Sequence, residues 1–292
     1  MTQDETRQSN GTKSNFQGCC TATLTPFDGQ NRVDEGVVRA HTQWLIENGA
    51  AGLCPAGTTG EFLYLSHEES RTVVAETVVA AAGRVPVIAG VWALTIEEAA
   101  DNARAAENAG ADAVFLPPPI YYPANDHQVF SWYTTVHKAT TLPVFAYNIP
   151  QYAANPISVG CLHLLFSTGA IVGVKDSTGD AGRVGELVAQ FGGSGVVFAA
   201  SDGFAVQGRA LGADGFISAI ANVTPRLFSR LWEGEDDLQS EVNALRSALK
   251  EVGSIAGLKY LMARQGFAFG VSRLPFSSLS DAHKNRLDAL RL

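Results

Sequence analysis

From Gly18 onward, short apolar runs alternate with longer stretches in which apolar residues recur at helical spacing. The strand-like runs are Cys20–Leu24, Ala51–Cys54, Pro86–Ala89, Ala113–Leu116, Pro143–Tyr147, Ile171–Val174, Val196–Ala199 and Gly215–Ile217. Each is almost wholly apolar, so each is expected to be buried on both faces, as in a parallel sheet covered by helices.

Helix signals fall between the strands. Ser66-His-Glu-Glu and Thr95-Ile-Glu-Glu both open a segment with a capping residue followed by acids, which suits the positive end of a helix. Two similar joints, Glu107-Asn-Ala-Gly-Ala-Asp-Ala and Ala210-Leu-Gly-Ala-Asp-Gly-Phe, read as a helix that ends on glycine and feeds a strand. Eight such units predict an α/β fold, a closed (β/α)8 TIM barrel. A doubly wound sheet has the same alternation, so periodicity alone favours closure only modestly. After Val223 strand-like runs cease, and Pro225–Leu292 reads as the eighth barrel helix plus a small C-terminal helical appendage. The expected organisation is a flexible N-terminal tail (1–17), a barrel (18–233) and a C-terminal helical region (234–292).

Composition narrows the function classes. Of 292 residues, 46% are hydrophobic and 17% charged, which describes a globular chain with a fairly apolar surface suited to self-association. The formal net charge is −8 and no basic run occurs, so neither nucleic acid nor an acidic membrane is an expected partner. The polar start MTQDETRQSNGTKSN lacks a signal-peptide core, and nothing later offers about 18 uninterrupted apolar residues; a soluble, cytoplasmic protein is expected. Cys19, Cys20, Cys54 and Cys161 form no CxxC, and His41, His67, His127, His137, His163 and His283 form no HxH or HExxH. No metal site or disulfide is expected, and Trp44, Trp132 and Trp232 read as packing residues on helices.

Active sites of such barrels lie at the C-terminal ends of the strands. Lys13, Lys138, Lys250, Lys259 and Lys284 fall in the tail, in helix-like stretches or near the chain end, whereas Lys175 closes an apolar strand in Ala170-Ile-Val-Gly-Val-Lys-Asp-Ser-Thr. Burying an ammonium is costly, so the position implies either a desolvated amine able to attack a ketone or an ion pair with a neighbour such as Asp176. Pro55-Ala-Gly57-Thr58-Thr59-Gly-Glu follows the second strand; its small residues and hydroxyls suit a carboxylate or phosphate, or simply make a turn. Tyr147, in Phe-Ala-Tyr-Asn-Ile-Pro, is placed either to relay protons or to pack. Tyr121 and Tyr122, in the proline-rich stretch after the fourth strand, serve a site or an interface.

Taken together, Leu24-Thr-Pro-Phe27, Gly57-Thr-Thr-Gly-Glu61, Tyr147-Asn-Ile-Pro150, Gly173-Val-Lys175 and Gly215-Phe-Ile-Ser218 resemble, in order and spacing, the dihydrodipicolinate synthase and N-acetylneuraminate lyase superfamily of pyruvate-dependent class I aldolases. The resemblance runs from about Gly18 to the C-terminus. It implies that Lys175 forms an imine with a 2-oxo acid such as pyruvate and that Tyr147 is the general acid/base. It further implies that Thr58 and Thr59 hold the substrate carboxylate, with Thr58 also in a proton relay, and that Ile217 lies against the pyruvate moiety. By the same resemblance Tyr122 is a relay tyrosine lent by a neighbouring subunit, no cofactor is needed, and the assembly is a homotetramer built as a dimer of dimers.

Two departures stand out. The dihydrodipicolinate synthase branch carries an arginine two residues after Tyr-Asn-x-Pro to bind the aldehyde substrate's carboxylate; here Gln151-Tyr152 follows. Trp92 replaces the small residues usual after the third strand, where an indole either contacts the distal end of a substrate or fills space. Thr58 in place of a serine argues mildly against the neuraminate lyase branch. The expected activity is therefore a Schiff-base lyase or aldolase acting on a 2-oxo acid, such as a 2-keto-3-deoxy sugar acid or 4-hydroxy-2-oxoglutarate. Dihydrodipicolinate synthase, a 2-keto-3-deoxy acid dehydratase and a non-catalytic 2-oxo acid sensor are the alternatives.

Overall fold

The computed structural model describes residues 15–276 and 278–290. Eight parallel strands are present: β1 (Gly18–Ala22), β2 (Gly52–Cys54), β3 (Ile88–Gly90), β4 (Ala113–Leu116), β5 (Val144–Asn148), β6 (Gly173–Asp176), β7 (Val196–Ala199) and β8 (Gly215–Ser218). Each pairs with its sequence neighbours, β8 returns to β1, and a parallel bridge between Leu53 and Val87 completes the ring between β2 and β3. The fold is thus a (β/α)8 barrel, as the alternation predicted.

The helices alternate with the strands. They are α1 (Glu35–Glu47), α2 (His67–Ala81), α3 (Ile96–Ala109), α4 (Asp126–Ala139), the short α5 (Pro150–Ala153), α6 (Val159–Ser167), α7 (Ala181–Phe191), α8 (Ala205–Ala210) and α9 (Pro225–Glu233). After Gly234 come α10 (Gln239–Val252), α11 (Ser254–Arg264) and α12 (Asp281–Asp288). The cap signals are met. Ser66 accepts from the Glu69 N–H in a reciprocal capping box, and Thr95 accepts from the Glu98 N–H. At the two matching joints Gly110 (φ 87°) and Gly212 (φ 92°) reverse the chain. The aspartates that follow tie the joint to the preceding strand: Asp112 accepts from the Val87 N–H at 2.8 Å and Asp214 from the Val197 N–H at 2.9 Å.

Pleating sends alternate residues inward. Cys20, Cys54, Ile88, Phe115, Phe145, Tyr147, Phe198 and Ile217 form the barrel interior, while Val114, Val144, Ala146, Val174 and Val197 face the helices. Glycine makes room for the large rings: a Cβ at Gly173 would stand 2.4 Å from Phe145, and one at Gly215 2.5 Å from Phe198. Strands β1 and β6 overlap the apolar runs Cys20–Leu24 and Ile171–Val174 but are offset from them by two residues. Leu24 and Ile171 are apolar because they pack in the clusters outside the barrel, not because they belong to the ladder. Most of the proposed tail, residues 1–14, lies outside the described residues, but Phe16 is buried edge-on against Phe145, with centroids 5.2 Å apart. The four cysteines are free and buried, and burial pushes the Cys54 thiol up to about 12. Among the described residues no helix is long and apolar enough to cross a membrane.

His41 of α1 is buried among Trp44, Phe267 and Phe269, with Nε2 3.2 Å from the Asn222 carbonyl. Burial pushes its pKa down from 6.5 to about 4, against the opposing pull of that carbonyl. Between those values the unfolded chain binds a proton that the folded chain refuses, so this contribution is complete above the unfolded pKa and is lost as pH falls toward 4. Between pH 7 and 4 the wild type should lose about 3 kcal/mol more stability than His41→Gln, measured by denaturant melts. Parallel losses in the two proteins would rule this out.

Candidate active site

The pleat decides what Lys175 faces. Lys175 and Asp176 are consecutive in β6, so they lie on opposite sides of the wall. Asp176 points outward into a closed polar knot. It accepts from Arg183 Nε of α7 at 2.7 Å, from Asn148 Nδ2 at 2.8 Å and from the Thr178 N–H at 3.0 Å. Arg183 continues to the Ile157 carbonyl at 2.7 Å, and Ile157 donates its N–H to Asn148 Oδ1 at 3.0 Å. The ordinary ion-pair reading of Lys175 therefore fails: its neighbour is fully engaged elsewhere.

Lys175 points inward and is 5% exposed. Its Nζ lies 3.9 Å from the Tyr147 ring centroid and 4.9 Å from that of Phe115, and among the described residues no carboxylate forms an ion pair with it. The β5–β6 register sets Tyr147 directly beside Lys175. The Tyr147 hydroxyl stands 3.5 Å from Thr58 Oγ1, which arrives on the tight turn Thr58–Gly60 after β2.

These groups open onto one cavity of about 210 Å³ at the C-terminal mouth of the barrel. Lys175, Tyr147, Thr58, Thr59, Ile217 and Tyr152 all line it. Gly57 is not in that lining; it precedes Thr58 in the turn, where a Cβ would come 3.0 Å from the Phe115 ring. Two sequence candidates stand apart. Trp92 packs edge-on against Phe62, centroids 4.7 Å apart, and Phe62 lines an adjoining cavity of about 330 Å³ that shares Thr58, Ile149, Tyr152 and Ile255 with the first. Tyr122 is 75% exposed and lines neither cavity.

Several residues escaped the sequence reading. Asp202, just past β7, lines the Lys175 cavity and accepts from Ser218 Oγ at 2.5 Å. Burial pushes its carboxyl up to about 6, against the lowering effects of Ser218, Arg246 and Lys175. Gln151, next to Tyr152, donates to the Ser177 carbonyl at 3.1 Å and also lines the cavity. Lys259, expected to lie on a helix and given no significance, is 2% exposed and paired with the buried Glu61. Its helical stretch Leu258–Met262 is apolar around it, a signal that a lysine there is not simply solvated.

A parallel barrel with a desolvated lysine beside a tyrosine at its C-terminal mouth belongs with the class I lyases and aldolases, which bind their substrates as lysine imines. The comparisons specify the family. Residues 15–291 match the model of the dihydrodipicolinate synthetase family, and the chain belongs to that family. It is 36% identical over 283 residues to the 4-hydroxy-tetrahydrodipicolinate synthase of Bartonella bacilliformis, covering 94% of this chain and 96% of that one. The crystal structure of dihydrodipicolinate synthase from Aquifex aeolicus superposes with a TM-score of 0.87 at 30% identity, over 94% of this chain and 96% of that one. The sialic acid aldolase of Ruminococcus gnavus shares the fold, with a TM-score of 0.90 at 22% identity over 94% and 95% of the two chains.

Because Asp176 is held outside the barrel by Arg183, that ion pair and the chemistry at Lys175 should be separable. Arg183→Met leaves a buried carboxylate without its cation and should cost about 3 kcal/mol in denaturant melts. If Lys175 forms an imine with pyruvate, borohydride trapping of that adduct should persist below the melting transition. Loss of trapping in the folded variant would show that the two faces of β6 are coupled.

Proposed function

We propose that this protein is a pyruvate-dependent lyase or aldolase that makes or breaks a C–C bond of a 2-oxo acid, such as a 2-keto-3-deoxy sugar acid. The observation that carries the reading is Lys175: an amine buried in the barrel, without a carboxylate partner among the described residues, against the ring of Tyr147. Lys175 attacks the C2 carbonyl, water leaves, and the protonated imine accepts the electron pair of the breaking C3–C4 bond. Tyr147 takes the proton from the C4 hydroxyl as the aldehyde forms, and Thr58 passes protons to and from it. Protonation of the resulting enamine at C3 and hydrolysis of the imine release pyruvate and free Lys175. Thr59 and the Gly57 turn seat the carboxylate, and Ile217 packs against the pyruvate part.

The acceptor end is read from charge. Lys175 is the cationic side chain among the residues lining the Lys175 cavity, and the imine consumes its amine. Tyr152 offers no cation for a second carboxylate, whereas Asp202, which lines the cavity, offers a partner for a substrate hydroxyl. The second reading, 4-hydroxy-tetrahydrodipicolinate synthase, is supported by the name of the Bartonella relative. A homotetramer is expected in either case, with Tyr122 reaching a neighbouring subunit's site; the exposure of Tyr121 and Tyr122 is compatible with that.

Borohydride reduction in the presence of pyruvate should add one pyruvate-derived mass to Lys175 and none to Lys175→Ala. Tyr147→Phe should still form the adduct but turn over about 100-fold more slowly or worse. In a pyruvate-release screen, 2-keto-3-deoxy sugar acids should be cleaved, while pyruvate should condense poorly with aspartate semialdehyde. Efficient condensation would instead establish the second reading, and the absence of an adduct with any 2-oxo acid would overturn both.

A further inference from the structure

The ladder of β2 ends at Cys54, yet Thr58 and Thr59 lie beyond it on a turn that must hold its place at the cavity. One restraint comes from the loop after β1: Thr25 Oγ1 donates to the Gly60 carbonyl at 2.7 Å. The other comes from the far end of the chain. Glu61 follows the turn in a left-handed conformation (φ 60°), its side chain wholly buried. One carboxylate oxygen pairs with Lys259 of α11, and the other accepts the Arg273 N–H at 2.9 Å. Lys259 Nζ lies 4.1 Å from the Phe27 ring centroid, and the Arg273 guanidinium covers the same ring at 4.3 Å. That guanidinium is itself engaged by Glu69 and by the carbonyls of Tyr64 and Asn31, each at 2.6 Å, so the cation serving Glu61 is Lys259.

A buried ion pair is weak evidence of stabilisation, because desolvating both charges offsets most of their attraction. What it does impose is geometry. Helix α11 also supplies Ser254, Ile255 and Leu258 to the wall of the Lys175 cavity, so one helix both walls the site and grips the turn that enters it. We propose that Lys259, through Glu61, is a positioning residue for the imine chemistry, holding the Thr58–Gly60 turn so that Thr58 stays in reach of Tyr147 and Thr59 faces the substrate. Burial lowers Lys259 to about 8, with Glu61 pulling the other way, in keeping with a cation held in a dry seat rather than a solvated one. The inference rests on the imine reading of Lys175.

The test is exchange of the pyruvate methyl protons for deuterium, followed by NMR in D2O, which needs imine and enamine but no aldehyde substrate. In Lys259→Met/Glu61→Gln both charges are gone, the Arg273 N–H keeps an acceptor, and the melting temperature should stay near that of the wild type. Exchange at saturating pyruvate should fall about 100-fold and half-saturation should rise, while borohydride still labels Lys175. A folded double variant with wild-type exchange and half-saturation overturns the proposal. If that variant fails to fold, Glu61→Asp keeps the charge but shortens the link; slowed exchange supports positioning, and an unchanged rate overturns it. A wild-type protein that neither exchanges nor forms an adduct overturns the imine reading and this inference with it.

Discussion

The pleat of a closed parallel wall is the constraint on which the site depends. In a barrel every strand has one face turned to the lumen and one to the helices, so two adjacent residues cannot share an environment. At β6 this separates a cation from the anion next to it in sequence. Asp176 is drawn into the layer between strand and helix, where Arg183, Asn148 and Thr178 satisfy it; Lys175 is left inside with aromatic rings. Without that separation the two would neutralise each other, and the lysine would be an ordinary ion-pair partner.

The barrel supplies rigidity only where its ladder runs. Tyr147 and Lys175 are fixed by register, each on its own strand. Thr58 is not, because the turn that carries it begins after β2 has ended. Its position is inherited from Thr25 on one side and from Glu61, Lys259 and Arg273 on the other. The C-terminal helical region is therefore part of the site's framework, contributing both cavity wall and anchorage.

Periodicity made the eight units legible, along with the capped starts of α2 and α3 and the paired Gly-Ala-Asp joints, because those signals are local. Strand limits at β1 and β6 were less so: Leu24 and Ile171 are apolar for reasons of packing outside the barrel, and a single chain cannot distinguish the two kinds of burial. Lys175, Tyr147, Thr58, Thr59, Ile217 and Tyr152 were found from motif order and do converge on one cavity. Lys259 was passed over because its partner lies in a loop at the opposite end of the sequence, and helix spacing alone suits a lysine that lays its stem on apolar surface. Asp202 was missed because an acid following Ala-Ala-Ser looks like any turn residue until the cavity wall is known. Trp92 shows the reverse limit: it lies one ring behind the lining, against Phe62.

Charge balance inside the cavity then bears on what the proposed imine would react with. In that proposal pyruvate brings one carboxylate, which the hydroxyls and turn at Gly57–Thr59 would seat without a full positive charge. A second carboxylate on the acceptor needs a cation or several donors to replace its water, and the lining beyond Lys175 provides Tyr152, Gln151 and Ser177. Asp202, also in the lining, makes the cavity less hospitable still: above its raised pKa it repels an anion, and below it the group is neutral. A hydroxyl faces neither penalty, since it can donate to the carboxylate or accept from the protonated acid. On the proposed reading, the same lining would therefore favour a polyhydroxylated partner over a dicarboxylic one, through the acid just past β7 as much as through Tyr152 after β5.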